Sequence, residues 1–243
     1  MIFKVCYKGF LFFILLFFAS NSLISQKNIH DIWDSELKKY VDDEGNVNYR
    51  VWKKNSKLLE KYLINLENNP PIEQWTKYDS LAYFINAYNA VTVKLILDNY
   101  PLRSIKDLII PWWLKRFKLK NEKVTLNFIE HKILRKMDEP RIHFAINCAS
   151  RSCPKLQNFA YYSHRLENQL ENATTEFIND QAKNKINVNC LKISKIFSWF
   201  KDDFGNKIQL LKFVNKYSGV KIMENATVEY LNYDWNLNEK LLK

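Results

Sequence analysis

Apolar residues recur at helical spacing through most of the chain after residue 28. Over residues 79–99, Leu81, Phe84, Ile85, Tyr88, Thr92, Leu95 and Ile96 form an i, i+3, i+4 stripe, and Ala82, Asn86, Asn89 and Val93 form a second stripe beside it. A helix that is apolar over most of its girth is buried, so this element is expected at the centre of the fold. Asp79 or Ser80 is expected to cap its start and Pro101 to end it. Shorter helical patterns cover 30–40, 52–68, a segment from Asn127 that carries His131 one turn in, 162–179, 193–204 and 208–217. Strict alternation over 141–148 predicts a strand, with Ile142, Phe144, Ile146 and Cys148 on one side and Arg141, His143, Ala145 and Asn147 on the other. Further extended pieces are expected at 47–49, 123–126, 187–192 and 228–235. Helices outnumber strands and do not alternate with them. The expected fold is therefore α+β: a single, mostly helical domain with a small sheet over residues 28–240, with no repeat and no linker.

Residues 1–25 follow another pattern. Lys4 and Lys8 precede an unbroken apolar run from Gly9 to Ala19, and Ser20, Asn21, Ser22 and Ser25 come after it. That order is expected of a secretory signal peptide, cleaved near Ser25–Gln26 or at Ser22. The run is about half the ~20 residues a permanent membrane span needs. Cys6 lies before the apolar core, where it cannot be the lipidated cysteine of a lipoprotein. The protein is expected to be exported, periplasmic or secreted.

The chain carries 37 basic and 26 acidic side chains. Loss of residues 1–25 removes two lysines and leaves 35 against 26, a net charge of +9. The bases are interspersed with acids, which fits a solvated surface. A nucleic-acid partner conflicts with export, and an anionic or peptide-like envelope substrate agrees with it. Only four glycines occur in 243 residues, which excludes a phosphate-binding glycine loop and a dinucleotide fingerprint, so no cofactor is expected.

Reactive side chains concentrate at Asn86 and Asn89 on the central helix and in Arg141–Pro154, which holds His143, Cys148, Arg151 and Cys153. A buried amide without partners costs about 1–3 kcal/mol, so the two asparagines either hold neighbouring backbone or line a site.

Long motifs in a fixed order carry a resemblance: residues 83–90 (YFINAYNA), 129–135 (IEHKILR), 141–154 (RIHFAINCASRSCP), 191–204 (LKISKIFSWFKDDF) and 233–238 (YDWNLN). The chain resembles the DUF547 family, a family of unknown function, over nearly all of its length after residue 28. The resemblance implies one domain whose residues match the family pattern at Asn86, Asn89, His131, His143, Cys148 and Cys153. It implies no reaction.

The residues themselves leave several chemistries open. Cys148 can be a thiolate nucleophile with a histidine base. On a straight strand His143 lies ~16 Å along the chain from Cys148 and faces the other way. His131, on a separate element, is therefore the expected base, with Asn86 or Asn89 orienting its ring. Alternatively, Cys148 and Cys153 form a disulfide, or either pairs with Cys190, which export would permit. Zinc binding by His131, His143, Cys148 and Cys153 is disfavoured because Cys-x4-Cys is not a standard ligand spacing. Cys148 can also be a buried apolar residue of the core. The leading expectation is a thiol-dependent hydrolase or acyl-transfer enzyme of the cell envelope. The runner-up is a non-catalytic binding domain in which Arg141 and Arg151 receive an anionic group.

Overall fold

A computed structural model describes residues 29–108, 111–114 and 117–240. The expected signal segment, 1–25, lies outside the described residues, as do Lys115 and Arg116. The fold is α+β, mostly helical, with two small sheets.

The described residues open with α1 (residues 29–40), followed by α2 (Tyr49–Lys53) and α3 (Lys57–Asn68). The sequence pattern predicts one helix over 52–68, but the path turns at residues 54–56. Trp52 is the reason. Its indole is fully buried, donates to Glu36 on α1 at 2.9 Å and stacks on Tyr40 at 4.8 Å. A straight helix could not place Trp52 there and also bury Leu59, Tyr62 and Leu66 against the next element. That element is α4 (Lys77–Asn99), the central helix, in which every residue from Leu81 to Val93 is buried. It is long and apolar enough to cross a membrane, yet 89% of the relevant stretch is buried within the fold. Its cap is Thr76, which forms a reciprocal capping box with Asp79, so the helix starts before the expected Asp79 or Ser80.

Strands β1 (Phe117–Leu119) and β2 (Glu122–Val124) form an antiparallel hairpin. Thr125 then caps α5 (Leu126–Phe128), which runs on into a π-helical turn at Ile129–Ile133 and a 3-10 turn at Leu134–Met137. The following segment corrects the sequence reading. Residues 141–148 are not a strand; Pro140–Phe144 is a 3-10 helix, and the chain then bends through Asn147 and Cys148. Pro140 stands at the first helical position, where its fixed φ and missing N–H suit a helix start. The Glu139 carboxylate accepts from the Arg141 N–H and completes the turn. The alternation is not expressed as two faces, because all seven residues from Arg141 to Asn147 are buried.

Helix α6 (Leu166–Asn179) follows, then β3 (Lys185–Ile186), β4 (Cys190–Ile193), α7 (Ile196–Trp199), α8 (Lys201–Phe204), α9 (Lys207–Tyr217) and β5 (Thr227–Tyr230). The second sheet has the order β3-β4-β5, with β3 and β4 antiparallel and β4 and β5 parallel. The expected strand at 228–235 is ordered as β5 only to Tyr230. Beyond it the chain becomes a strap: Arg151 N–H donates to Asn236 O, and Asn238 N–H to Ala149 O. The buried side chains form two clusters, one around α1–α4 and one around α6, α7, α9 and β4. Ile142 and Ala145 belong to the first and Phe144 to the second, so the 3-10 turn lies on their seam.

Candidate functional site

Asn89 builds the bend that carries Cys148. From the middle of α4 its Nδ2 donates to Ala145 O at 2.9 Å, and its Oδ1 accepts from Asn147 N–H at 2.8 Å. Asn147 extends the clamp by donating to Pro154 O at 2.7 Å and accepting from Ala149 N–H at 2.7 Å. Ala149 is thereby held at φ 61, a left-handed conformation that costs a residue with a Cβ about 1–2 kcal/mol. Asn86 makes the same kind of clamp on the N–H and C=O of Tyr161. The expectation that Asn86 or Asn89 acts beside a catalytic histidine is therefore corrected. Both amides are spent on backbone, and neither lines the pocket described below.

The half-buried Cys148 sulfur lies 3.1 Å from Ser150 Oγ and 3.4 Å from Tyr233 Oη, which the C-terminal strap delivers. Cys148 N–H donates to Cys153 Sγ at 2.8 Å. Burial works against ionisation of Cys148. Hydrogen bonds from the Cys153 thiol, the Ser150 hydroxyl, the Tyr233 phenol and the Ser150 amide outweigh it and bring the Cys148 thiol down to about 7. Cys153 moves the opposite way: burial, then the neighbouring sulfur, holds it neutral. Cys148, Cys153 and Cys190 are all free thiols.

Asp203, from α8, organises the imidazoles. Arg135 donates Nε–H and Nη2–H to its two carboxylate oxygens at 2.5 and 2.8 Å. His143 Nε2 lies 2.6 Å from Asp203 Oδ2. A carboxylate only accepts, so Nε2 carries the proton and Nδ1 is left as the basic atom. The ring stacks on Phe200 at 4.1 Å. Burial lowers the His143 pKa, and Asp203 opposes the shift. His131 Nδ1 lies 2.8 Å from Arg135 Nη1. Because a guanidinium only donates, that nitrogen is the acceptor and Nε2–H the remaining donor. Burial and then the Arg135 charge lower the His131 pKa, and its acceptor nitrogen is already occupied by Arg135.

These groups share a pocket of about 240 Å³ at the seam of the two clusters, lined by Cys148, His131, His143 and Glu130 and walled by Trp199, Tyr233 and Trp235. Tyr233 and Trp235 pack at 4.6 Å, and Trp199 and Tyr233 at 4.7 Å. Glu130 is buried in the π turn and accepts from Tyr88 Oη at 3.1 Å. Burial raises its pKa to about 7, with the nearby Cys148 sulfur adding to the shift. Among the described residues, no three His, Cys, Asp or Glu side chains converge in a metal-binding arrangement.

The expected anion receptor is corrected as well. Arg141 is buried, and its guanidinium is engaged by Glu139, Glu167 and Glu171. Arg151 lines a separate, open cleft with Asp42, Lys155 and Lys240. Sequence reasoning did not single out Asp203, Arg135, Glu130 or Tyr233. Each lies inside a segment quoted for the family resemblance, but an acid or a phenol there looks like any other surface residue until the fold turns it inward.

Residues 72–178 match a family model described as "Protein of unknown function, DUF547". The match supports the resemblance over α4, the π turn and the Cys148 bend. Neither curated proteins nor solved structures gave a match.

Proposed function

We propose that the chain is a thiol-dependent acyl-transfer or hydrolytic enzyme that acts in the cell envelope after export, with Cys148 as its nucleophile. The observation that carries this reading is a half-buried thiol brought down to about 7, on a pocket wall shared with an imidazole anchored by a carboxylate. A thiol at that value is about half ionised at neutral pH, and the thiolate is the attacking species. Asp203 holds Nε2–H of His143, so Nδ1 takes any remaining thiol proton and Asp203 stabilises the imidazolium. This replaces His131 as the base. A straight strand would separate His143 from Cys148, and the 3-10 turn curls them onto one pocket. His131 keeps a supporting role, offering Nε2–H to the developing oxyanion. The aromatic wall suits an uncharged acyl or peptide-like group.

The test is p-nitrophenyl acetate on the folded protein, read by mass spectrometry. One acetyl group per chain on Cys148, absent in Cys148→Ser and strongly slowed in His143→Gln, is the expected result. Acetylation spread over lysines, with Cys148 modified only after unfolding, would refute the reading.

A further inference from the structure

The pocket contains an acid that nucleophilic attack does not use. Glu130 is buried beside the thiol, held by the Tyr88 phenol on α4, and presented by the single π-helical turn among the described residues. Such turns occur frequently at functional sites, because the extra residue re-aims a side chain. Among the described residues no cation pairs with it: Arg135, which acts on it through space, is committed to Asp203 and His131. A carboxyl in that setting is kept protonated until near neutrality, as burial requires. A thiolate displacing an alkoxide, a phenoxide or an amine needs a proton delivered to the departing atom, and general acid catalysis of this kind contributes about 10²–10⁴-fold.

Building on the thiol reading above, we propose that Glu130 is the general acid that protonates the leaving group, and that the enzyme accepts uncharged substrates with poor oxygen or nitrogen leaving groups. The Cys148 sulfur bonds to the carbonyl carbon. The bond from that carbon to the leaving atom then breaks, its electron pair stays on the leaving atom, and that atom takes the Glu130 proton. The products are a Cys148 thioester, a neutral alcohol or amine, and the Glu130 carboxylate. The carboxylate then takes a proton from the water that hydrolyses the thioester, which restores both groups.

Acetylation of Cys148 by two esters with one acyl group tests the role. Nitrophenoxide leaves without help, whereas phenol, like tyrosine, ionises only near pH 10. The wild type should discriminate against phenyl acetate about 100-fold less than a free cysteine does, and Glu130→Gln should restore the free-thiol ratio. A second readout needs no variant. Phenyl acetate acylation should fall as pH rises past about 7, where Glu130 loses its proton, while p-nitrophenyl acetate acylation should continue to rise to its thiolate plateau. Tyr88 hydrogen-bonds Glu130, and Cys148, Arg135 and Asp203 act on it through space. Equal discrimination by wild type, variant and free thiol, or parallel pH profiles, overturns Glu130 and leaves the nucleophile standing. Failure of both esters to label Cys148 removes the nucleophile and this role with it.

Discussion

At the scale of single residues the site turns on how each sulfur and nitrogen is hydrogen-bonded. Four donors around Cys148 stabilise its thiolate, so iodoacetamide alkylation of the folded protein should titrate with a midpoint near pH 7, against about 8.5 for a free thiol. Tyr233→Phe and Ser150→Ala each remove one donor and should move the midpoint upward. A midpoint above 8 in the wild type would contradict the hydrogen-bond account. The two histidines separate by the same logic. The Asp203 carboxylate anchors Nε2–H of His143 and leaves Nδ1 free, whereas Arg135 occupies the acceptor nitrogen of His131. His143→Gln should therefore slow acylation far more than His131→Gln, and the reverse order would return the role of base to His131.

At the scale of elements, side chains of α4 act as clamps on loops distant in sequence. Asn89→Leu strips partners from the Ala145 carbonyl and the Asn147 amide, and should cost about 1–3 kcal/mol in urea melts. It should also slow Cys148 alkylation, because the clamped bend sets the donors around the sulfur. Asn86→Leu should cost a similar amount through Tyr161 and leave the alkylation rate near that of the wild type. Arg141 ties the 3-10 turn to α6 through Glu167 and Glu171. Arg141→Met leaves the largely buried Glu139 carboxylate without its counter-ion and should cost up to about 3–5 kcal/mol, the range for removal of one partner of a buried ion pair.

For the whole molecule the buried titratable groups set how stability follows pH. His30 is fully buried beside Tyr62, and burial lowers its pKa from 6.5 to about 3. The unfolded chain therefore binds more protons than the folded one below pH 6.5. The stability that neutral His30 permits is complete above that pH and is lost at roughly 1.4 kcal/mol per unit on acidification toward 3. His30→Gln should flatten this limb in urea melts across pH 3.5–7. Glu130 acts with the opposite sign. Its folded pKa, near 7, exceeds the 4.5 of an ordinary glutamate carboxyl, so its contribution falls as pH rises from 4.5 to 7. The stability of wild type minus that of Glu130→Gln should decline over that window by on the order of 3 kcal/mol. A flat difference would mean that Glu130 is solvated.

The residue pattern alone determined the α+β class and the burial of α4, because a stripe wider than one face can only be satisfied inside a core. It also identified Asn86 and Asn89 as buried amides, since polar side chains within such a stripe must find partners. Cys148, His131 and His143 were legible as reactive types in quoted motifs. Their mutual geometry was not. Alternation over 141–148 obeys the period of a strand, and Pro140, the Glu139 cap and burial on all sides overrode it with a 3-10 turn. Only that turn brings His143 to the pocket of Cys148. Arg141 looked free to receive an anion because its three carboxylate partners lie 2, 26 and 30 residues away. Asp203 and Arg135 gain a role only when α8 meets the 3-10 turn Leu134–Met137, and Glu130 only when the π turn packs against α4. Such meetings depend on contacts between segments distant in sequence, which a local pattern does not encode; tertiary packing decided them.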